Sequence, residues 1–145
     1  MLKDMLPKEA IQIDLDAKNW QDAVRLTGSK LVECGMAKDS FIEAMVEAVH
    51  TLGPYIVLMP GVAMPHARPE SGTLKTGFSL GVLRNPVEFG NEANDPVDIV
   101  ICLCAASNEH HVEALRSLSA FLDDDEKLEQ VRKAKSPDEI WTLLN

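Results

Sequence analysis

The chain has 145 residues, of which 46% are hydrophobic, and its 14 Lys and Arg against 23 Asp and Glu leave a net charge of −9. This hydrophobic content excludes a disordered tail, and the length predicts a single domain, residues 1–145, with a core of its own. The excess of negative charge argues against binding to nucleic acid or anionic membranes, and it favours basic protein surfaces or small molecules as partners.

Three cysteines, without the paired spacing of a zinc finger, are typical of a reducing compartment rather than of a secreted disulfide framework. Cys102 and Cys104 are two residues apart on a predicted strand, so both point to one face, where we expect buried core thiols rather than a metal pair. No stretch approaches about 18 apolar residues, and the N-terminus lacks the apolar region of a signal peptide. We therefore expect a cytoplasmic protein.

The first part of the chain predicts a short strand and a helix. Ile11 and Ile13 alternate with polar residues, as they would in a strand. Apolar residues at helical spacing then predict a helix over 18–34, with Asp16 as its cap and Gly35 at its end.

A second helix is predicted from a capping box, in which Ser40 is followed three residues later by Glu43. This helix runs to about Leu52, before a glycine–proline pair. Strand-like segments follow it, and a loop rich in proline and glycine interrupts them over 65–72. The predicted strands are 55–59, 62–64, 76–84 with an extension at 87–89, and 97–105, the last almost wholly apolar, as in a central strand covered on both faces.

Three more helices are predicted after Ser107. The first presents one apolar face, and a short second helix begins in the acidic run 123–126. A serine cap, Ser136, with proline and glutamate behind it, begins the last helix. The apolar face of the first of these helices comprises Val112, Leu115, Leu118 and Leu122. This order of elements predicts an α/β fold, with one sheet and helices packed on both of its faces.

The segment 61–69 is where chemistry is most expected. An apolar strand ends there in His66, which directly follows Pro65, so the backbone around the imidazole is stiffened. Arg68 adds a permanent charge and donors suited to phosphate or carboxylate. A neutral imidazole in such a place can attack phosphorus and hold the phosphoryl group covalently. The alternative is a structural loop histidine beside a surface arginine.

A second histidine cluster follows the most apolar strand. His110 and His111 stand at a predicted helix N-terminus, where anions bind, and strand ends are where α/β sheets hold ligands. His111 has helical spacing to Leu115 and is predicted to point inward, whereas His110 is predicted to be exposed. Three histidines could also hold zinc, but no carboxylate is placed to assist, so neither a metal nor a cofactor is expected.

The residues Gly61-Val62-Ala63-Met64-Pro65-His66 resemble the G-[IV]-A-[ILM]-P-H signature of the mannitol/fructose-type enzyme IIA domains. These domains belong to the bacterial phosphoenolpyruvate-dependent sugar phosphotransferase system, and the resemblance covers essentially the whole chain. Further details resemble the ascorbate-specific subgroup. They are Asn19-Trp20 with Ala23, the segment 53–57, the segment 66–72 and the segment 86–90.

The resemblance implies a mixed sheet with helices on both faces and a phosphoryl relay. The small histidine phosphocarrier protein, HPr, would hand its phosphoryl group to Nε2 of His66, which would pass it to a cysteine of enzyme IIB. Enzyme IIB would phosphorylate the sugar, L-ascorbate, during uptake through the membrane-bound enzyme IIC. His111 matches the second family histidine and is expected to orient and stabilise the phosphoryl group.

One departure from the family pattern concerns the cation. Mannitol-type members carry an arginine on the second helix, but here that position falls near His50, and no arginine occurs between Arg25 and Arg68. Either His50 substitutes, or Arg68 supplies the charge from the loop that holds His66, which we prefer. The alternative function is a regulatory module that acts by phosphorylation-dependent protein binding, as in nitrogen-related IIA proteins. A homodimer is compatible with either function.

Overall fold

The computed structural model describes residues 1–144, which form six α-helices and five β-strands. The helices are α1 (Leu2–Met5), α2 (Trp20–Glu33), α3 (Asp39–Leu52), α4 (Asn108–Leu122), α5 (Asp125–Lys133) and α6 (Pro137–Thr142). The strands are β1 (Ile11–Leu15), β2 (Val57–Met59), β3 (Val62–Ala63), β4 (Gly77–Val87) and β5 (Val97–Cys104). None of the helices formed by the described residues is both long and apolar enough to cross a membrane.

The five strands form one mixed sheet in the order β1-β4-β5-β3-β2. β1 runs parallel to β4 and β3 runs parallel to β5, whereas the β4–β5 and β2–β3 pairs are antiparallel. The predicted central strand is therefore confirmed, since β5 lies in the middle of the sheet and only Asp98 in it is not buried.

Helices cover both faces of the sheet. On one face α2 packs closely, since the buried hydroxyl of Ser79 donates to the carbonyl of Thr27 at 2.8 Å. Gly28 makes this approach possible, because a Cβ there would lie 2.7 Å from Met45 Cε of α3 and 3.9 Å from the Cys102 sulfur. The opposite face carries Phe78, Leu80, Ile101 and Leu103, all buried, and there α1 contacts α4 and β4, and α6 contacts β1. The predicted fold class is confirmed.

Two predicted helix caps are wrong. The side chain of Asn19, not Asp16, caps α2 by accepting from the backbone N–H of Asp22 at 2.8 Å. Asp16 instead lies 3.7 Å from the guanidinium of Arg84 on β4. The hydroxyl of Ser40 does not form a capping box, because it donates to the carbonyl of Ser71 at 3.0 Å. Both side chains are taken by partners distant in the sequence.

Two other predictions differ from the structure. Pro54–Ile56 form a turn of 3₁₀ helix, so β2 begins only at Val57. Proline suits the first position of such a turn, since its missing N–H needs no partner there. Val112 is 49% exposed, because the buried face of α4 is formed by Ala114, Leu118, Phe121 and Leu122.

The turn that leads into β3 is clamped by α5. Nε of Arg132 donates to the carboxylate of Asp98 at 2.9 and 3.1 Å, and its Nη2 donates to the carbonyl of Pro60 at 3.4 Å. Gly61, at φ +80°, accepts from the backbone N–H groups of Asp98 and Ile99, both at 3.0 Å. These contacts fix where β3 starts, and therefore where its far end delivers the chain.

Candidate active site

His66 lies at the carboxyl end of β3, beside the end of the central strand. The carbonyl of Pro65 accepts from the backbone N–H of Leu103 at 3.0 Å, and His66 forms an isolated parallel bridge with Leu103. The β3–β5 pairing thus continues past Ala63 up to the histidine. The imidazole is half-buried and is held on a stiff strand end rather than on a free loop.

One nitrogen of the His66 ring is occupied by the backbone. Nδ1 lies 2.9 Å from the carbonyl oxygen of Met64, and because a carbonyl can only accept, Nδ1 carries the proton and donates it. In the neutral form of the ring, Nε2 is then the unprotonated nitrogen, with its lone pair available. The tautomer of the neutral imidazole is thus set by the backbone of its own chain.

His111 lies next to His66 across the sheet edge. The two ring centroids are 5.3 Å apart, with the ring planes at 58°. α4 begins three residues earlier, at Asn108, and Ser107 caps the helix by accepting from the backbone N–H of His110 at 3.2 Å. Burial and, to a lesser extent, electrostatic repulsion between the two neighbouring rings lower the pKa of His111 below its usual value. Both effects favour a neutral His111 in the absence of an anion.

The third histidine of the predicted cluster is not part of the site. His110 is exposed, and its Nδ1 lies 2.7 Å from the hydroxyl of Ser107 at the helix cap. The histidine pair that the structure brings together is therefore His66 with His111. Among residues 1–144 no three His, Cys, Asp or Glu side chains are grouped as a metal ion would require.

His66 and His111 open onto a cleft of about 520 Å³ with three walls. One wall is the loop that follows β3, including Arg68 and Ser71, and another is the first turn of α4, including Asn108. The third wall is one face of α3, which contributes Ala44, Glu47, Ala48, Thr51 and Leu52. Two imidazoles, one guanidinium and a helix N-terminus, all groups that stabilise an anion, thus line the cleft together with the carboxylate of Glu47.

Arg68, rather than His50, lines this cleft. Arg68 lies on an exposed loop whose later part is tied to the start of α3, because the backbone N–H of Lys38 donates to the carbonyl of Gly72 at 2.8 Å. His50 is exposed on α3, outside the face that lines the cleft. Of the two candidate cations, Arg68 is the one placed beside the histidine pair.

Sequence reasoning missed the contribution of α3 to this site. Ala44, Glu47, Ala48 and Thr51 are separated by three or four residues, so all four lie on one helix face. This spacing is visible in the amino-acid sequence. Nothing in that spacing says that the face borders a cleft rather than open solvent. Ser71, which ends a turn of 3₁₀ helix, and Asn108, the first residue of α4, were not singled out as site residues.

Two of the three cysteines are buried core thiols, as predicted, and they do not line the cleft. Cys102 and Cys104 are buried on β5 and point to the face covered by α2. Burial raises the pKa of the Cys102 thiol far above its usual value and raises that of Cys104 to about 11. The Cys104 sulfur lies 3.3 Å from the carbonyl of Lys75, to which it donates. Both are protonated core side chains without nucleophilic character at neutral pH.

Comparison with known proteins identifies relatives along the whole length of the chain. Residues 4–145 match the family described as "Phosphoenolpyruvate-dependent sugar phosphotransferase system, EIIA 2". The chain is 38% identical over 146 residues to the "Ascorbate-specific PTS system EIIA component" of Shigella boydii, a match that covers 99% of this chain and 95% of that protein. These matches confirm the family that the motif around His66 predicts.

Solved structures agree with the sequence matches. The mannitol-specific cryptic phosphotransferase enzyme IIA CmtB from Escherichia coli superimposes with a TM-score of 0.88 at 38% identity, covering 98% of this chain and 96% of that one. The enzyme IIA in the complex of IIA(Mtl) with phosphorylated IIB(Mtl), also from Escherichia coli, superimposes with a TM-score of 0.82 at 31% identity over 93% of each chain.

Proposed function

This chain belongs to the type-2 enzyme IIA family of the phosphoenolpyruvate-dependent sugar phosphotransferase system, and on that premise we propose that Nε2 of His66 is its phosphoryl-carrying atom. The chain is a phosphotransferase component, a phosphoryl carrier of that system. In the proposal it takes the group from phospho-HPr and passes it to a cysteine of its enzyme IIB. It works in the cytoplasm, and enzyme IIC is reached only through IIB.

The observation that carries the proposal is the hydrogen bond from Nδ1 of His66 to the Met64 carbonyl, at 2.9 Å. It directs the Nε2 lone pair away from the backbone and keeps the proton on the other nitrogen. A nucleophile needs this arrangement before it can attack phosphorus, and no rearrangement of the ring is then required during transfer.

The transfer moves a PO₃⁻ unit between two nitrogen atoms. The P–N bond of the donor phosphohistidine breaks as the bond from phosphorus to Nε2 of His66 forms. Nδ1 keeps its proton, so the phosphorylated ring becomes an imidazolium, and the carbonyl of Met64 stabilises its N–H. In the second half-reaction the new P–N bond breaks as a P–S bond forms on the cysteine thiolate of enzyme IIB.

His111 and Arg68 are proposed to hold the phosphoryl oxygens. The His111 ring, 5.3 Å from that of His66, is placed to donate to an oxygen of the bound group. Its pKa is low in the unphosphorylated protein, and a phosphoryl dianion beside it would favour its protonated form. Arg68 supplies a fixed positive charge from the loop wall, in place of the helix-borne arginine of mannitol-type members.

L-ascorbate is the substrate that we propose for the pathway served by this chain. The support is the 38% identity to an ascorbate-specific component, together with the subgroup segments of the sequence. The identity to CmtB, a mannitol-specific enzyme IIA, is also 38%, so the substrate has to be tested by transfer to enzyme IIB proteins of both types. Transfer from this chain to an ascorbate-type IIB is expected to exceed transfer to a mannitol-type IIB in kcat/KM.

The proposal is tested by following ³²P from phosphoenolpyruvate through enzyme I and HPr onto this chain. Wild-type protein and the His50→Ala control should become labelled, with an acid-labile and base-stable bond, whereas His66→Ala should not. Labelling of His66→Ala at the wild-type level would exclude His66 as the acceptor. If enzyme IIB does not speed the loss of label while another protein binds one form selectively, the regulatory alternative is correct instead.

A further inference from the structure

One side chain in the cleft has a sign of charge that disfavours a phosphoryl group. Of the described residues that line the cleft, Glu47 is the one with a carboxylate. It lies on the α3 face between Ala44 and Thr51, opposite the loop that carries His66. A site built only to bind phosphate tightly would not hold an acidic group there, because like charges repel.

The Glu47 carboxylate is held along the cleft by its own helix. The hydroxyl of Thr51, one turn later and also in the cleft wall, donates to Oε1 of Glu47 at 3.1 Å. Glu43, one turn earlier, pairs instead with Arg25 at 2.9 Å, away from the cleft. Among residues 1–144 no cation forms such a salt bridge with Glu47, so its charge is not neutralised by an ion pair.

We propose that Glu47 sets the phosphoryl-transfer potential of His66 by destabilising the phosphorylated state. This inference rests on the proposed function, in which His66 must both accept the group and give it up. The attractive groups, Arg68 and His111, make acceptance favourable. Glu47 opposes them and keeps the phosphohistidine from becoming a trap, so that onward transfer to a cysteine remains favourable.

The size of the effect follows from the dimensions of the cleft. Glu47 and His66 line the same cleft of about 520 Å³, and we take its cube root, about 8 Å, as the order of magnitude of the separation between the carboxylate and the phosphoryl group, whose transfer as PO₃⁻ adds one net negative charge. At that separation, a unit charge shifts an equilibrium constant by about twofold to sixfold at low ionic strength, for effective dielectric constants between roughly 80 and 40. In about 1 M salt the Debye length falls to roughly 3 Å, and the effect should vanish.

The test compares Glu47→Gln with Glu88→Gln. Glutamine keeps the shape of Glu47 and can still accept from Thr51, so the fold is unaffected. Glu88 is exposed just beyond the end of β4 that pairs with the start of β5, about 20 Å from His66 by strand length. Glu88→Gln therefore removes the same charge as Glu47→Gln, but far from His66. The measured quantities are the rates and the equilibrium constants for exchange of ³²P with HPr and with enzyme IIB, at about 10 mM and 1 M salt.

We expect Glu47→Gln to raise the equilibrium constant for acceptance from phospho-HPr about twofold to sixfold at 10 mM salt. The equilibrium constant for transfer to IIB should fall by the same factor. The product of the two constants describes net transfer from phospho-HPr to IIB, which a substitution in this chain cannot change. Thr51→Val, which frees the carboxylate, should shift both constants in the same directions by less, and Glu88→Gln should shift neither.

Unchanged equilibria with Glu47→Gln, or a shift that persists in 1 M salt, would overturn the inference. Equal slowing of both transfers without a shift in either equilibrium would also overturn it, since that result assigns Glu47 to partner docking. Failure of the wild-type chain to become labelled at all would instead refute the proposed function, which keeps the two conclusions separate.

Discussion

Replacing Gly61 by alanine tests whether the turn before β3 depends on the guanidinium of Arg132. A Cβ at Gly61 would lie 2.7 Å from Nη2 of Arg132 and 3.0 Å from Oδ1 of Asp98. The guanidinium can move aside only by loosening its two bonds to the Asp98 carboxylate, at 2.9 and 3.1 Å. The substitution therefore disturbs an ion pair as well as placing alanine at φ +80°.

Gly35 supplies a matched reference for the magnitude. It has φ +74°, and nothing lies within 4 Å of a Cβ built on it, so alanine there carries the backbone cost alone, about 1 kcal/mol. The side chains of Arg132 and Asp98 are 24% and 26% exposed, so solvent only partly screens their attraction. Disturbing that pair costs about 1–2 kcal/mol more. We expect Gly61→Ala to lose about 2–3 kcal/mol in total.

Urea unfolding followed by circular dichroism measures both free energies of unfolding under the same conditions. Combining Gly61→Ala with Arg132→Met should bring the cost of the alanine down towards the Gly35→Ala value, because the guanidinium that it meets is gone. If Gly61→Ala and Gly35→Ala lose equal stability, the contacts of Arg132 are not the reason that position 61 requires glycine, and the reasoning is refuted.

Three further predictions concern the site and the helix caps. Burial lowers the pKa of His111 from 6.5, so its neutral ring contributes stability that is present above pH 6.5 and is lost as the pH falls. We therefore expect the free energy of unfolding of His111→Gln to fall less at acid pH than that of wild type. Urea unfolding between pH 5 and 8 measures both. Arg68→Gln should slow phosphorylation by phospho-HPr about 10-fold or more, because one charge-assisted hydrogen bond to the phosphoryl group is lost. The rate for His50→Gln should stay within about twofold of the wild-type rate. The reverse result would assign the cation to α3. Asn19→Ala should lower the free energy of unfolding by about 1 kcal/mol and Asp16→Ala by less than about 0.5 kcal/mol, and equal losses in denaturant melts would contradict the observed cap of α2.

Elements whose signals are local were predicted correctly. The cap of α6 is one, because Ser136 and Pro137 need only their own neighbours, and the backbone N–H of Glu139 donates to the serine hydroxyl at 3.3 Å. β5 is another, since an almost wholly apolar run suits only a strand covered on both sides. The capping box predicted at Ser40 is wrong because the signal there is not only local: the carbonyl of Ser71, distant in the sequence, accepts from its hydroxyl.

The proximity of the two histidines was predicted because each follows a strand end, where α/β sheets hold ligands. His66 and His111 each follow a strand, and β3 and β5 run parallel, so their carboxyl ends meet at one sheet edge. The Nδ1 proton acceptor could not be predicted, because the Met64 carbonyl reaches the ring only in the conformation that the structure shows.

Most of the elements, the family and the residues at which chemistry is expected were predictable from the amino-acid sequence, since these depend on local spacing and on a short motif. Which groups share the cleft depends on how the elements pack together. That packing placed Arg68 in the wall and His50 outside it, and it turned the face of α3 that bears Glu47 towards His66. The reason is physical: helical spacing specifies which residues share a face, but what that face meets depends on how the helix packs against the rest of the chain.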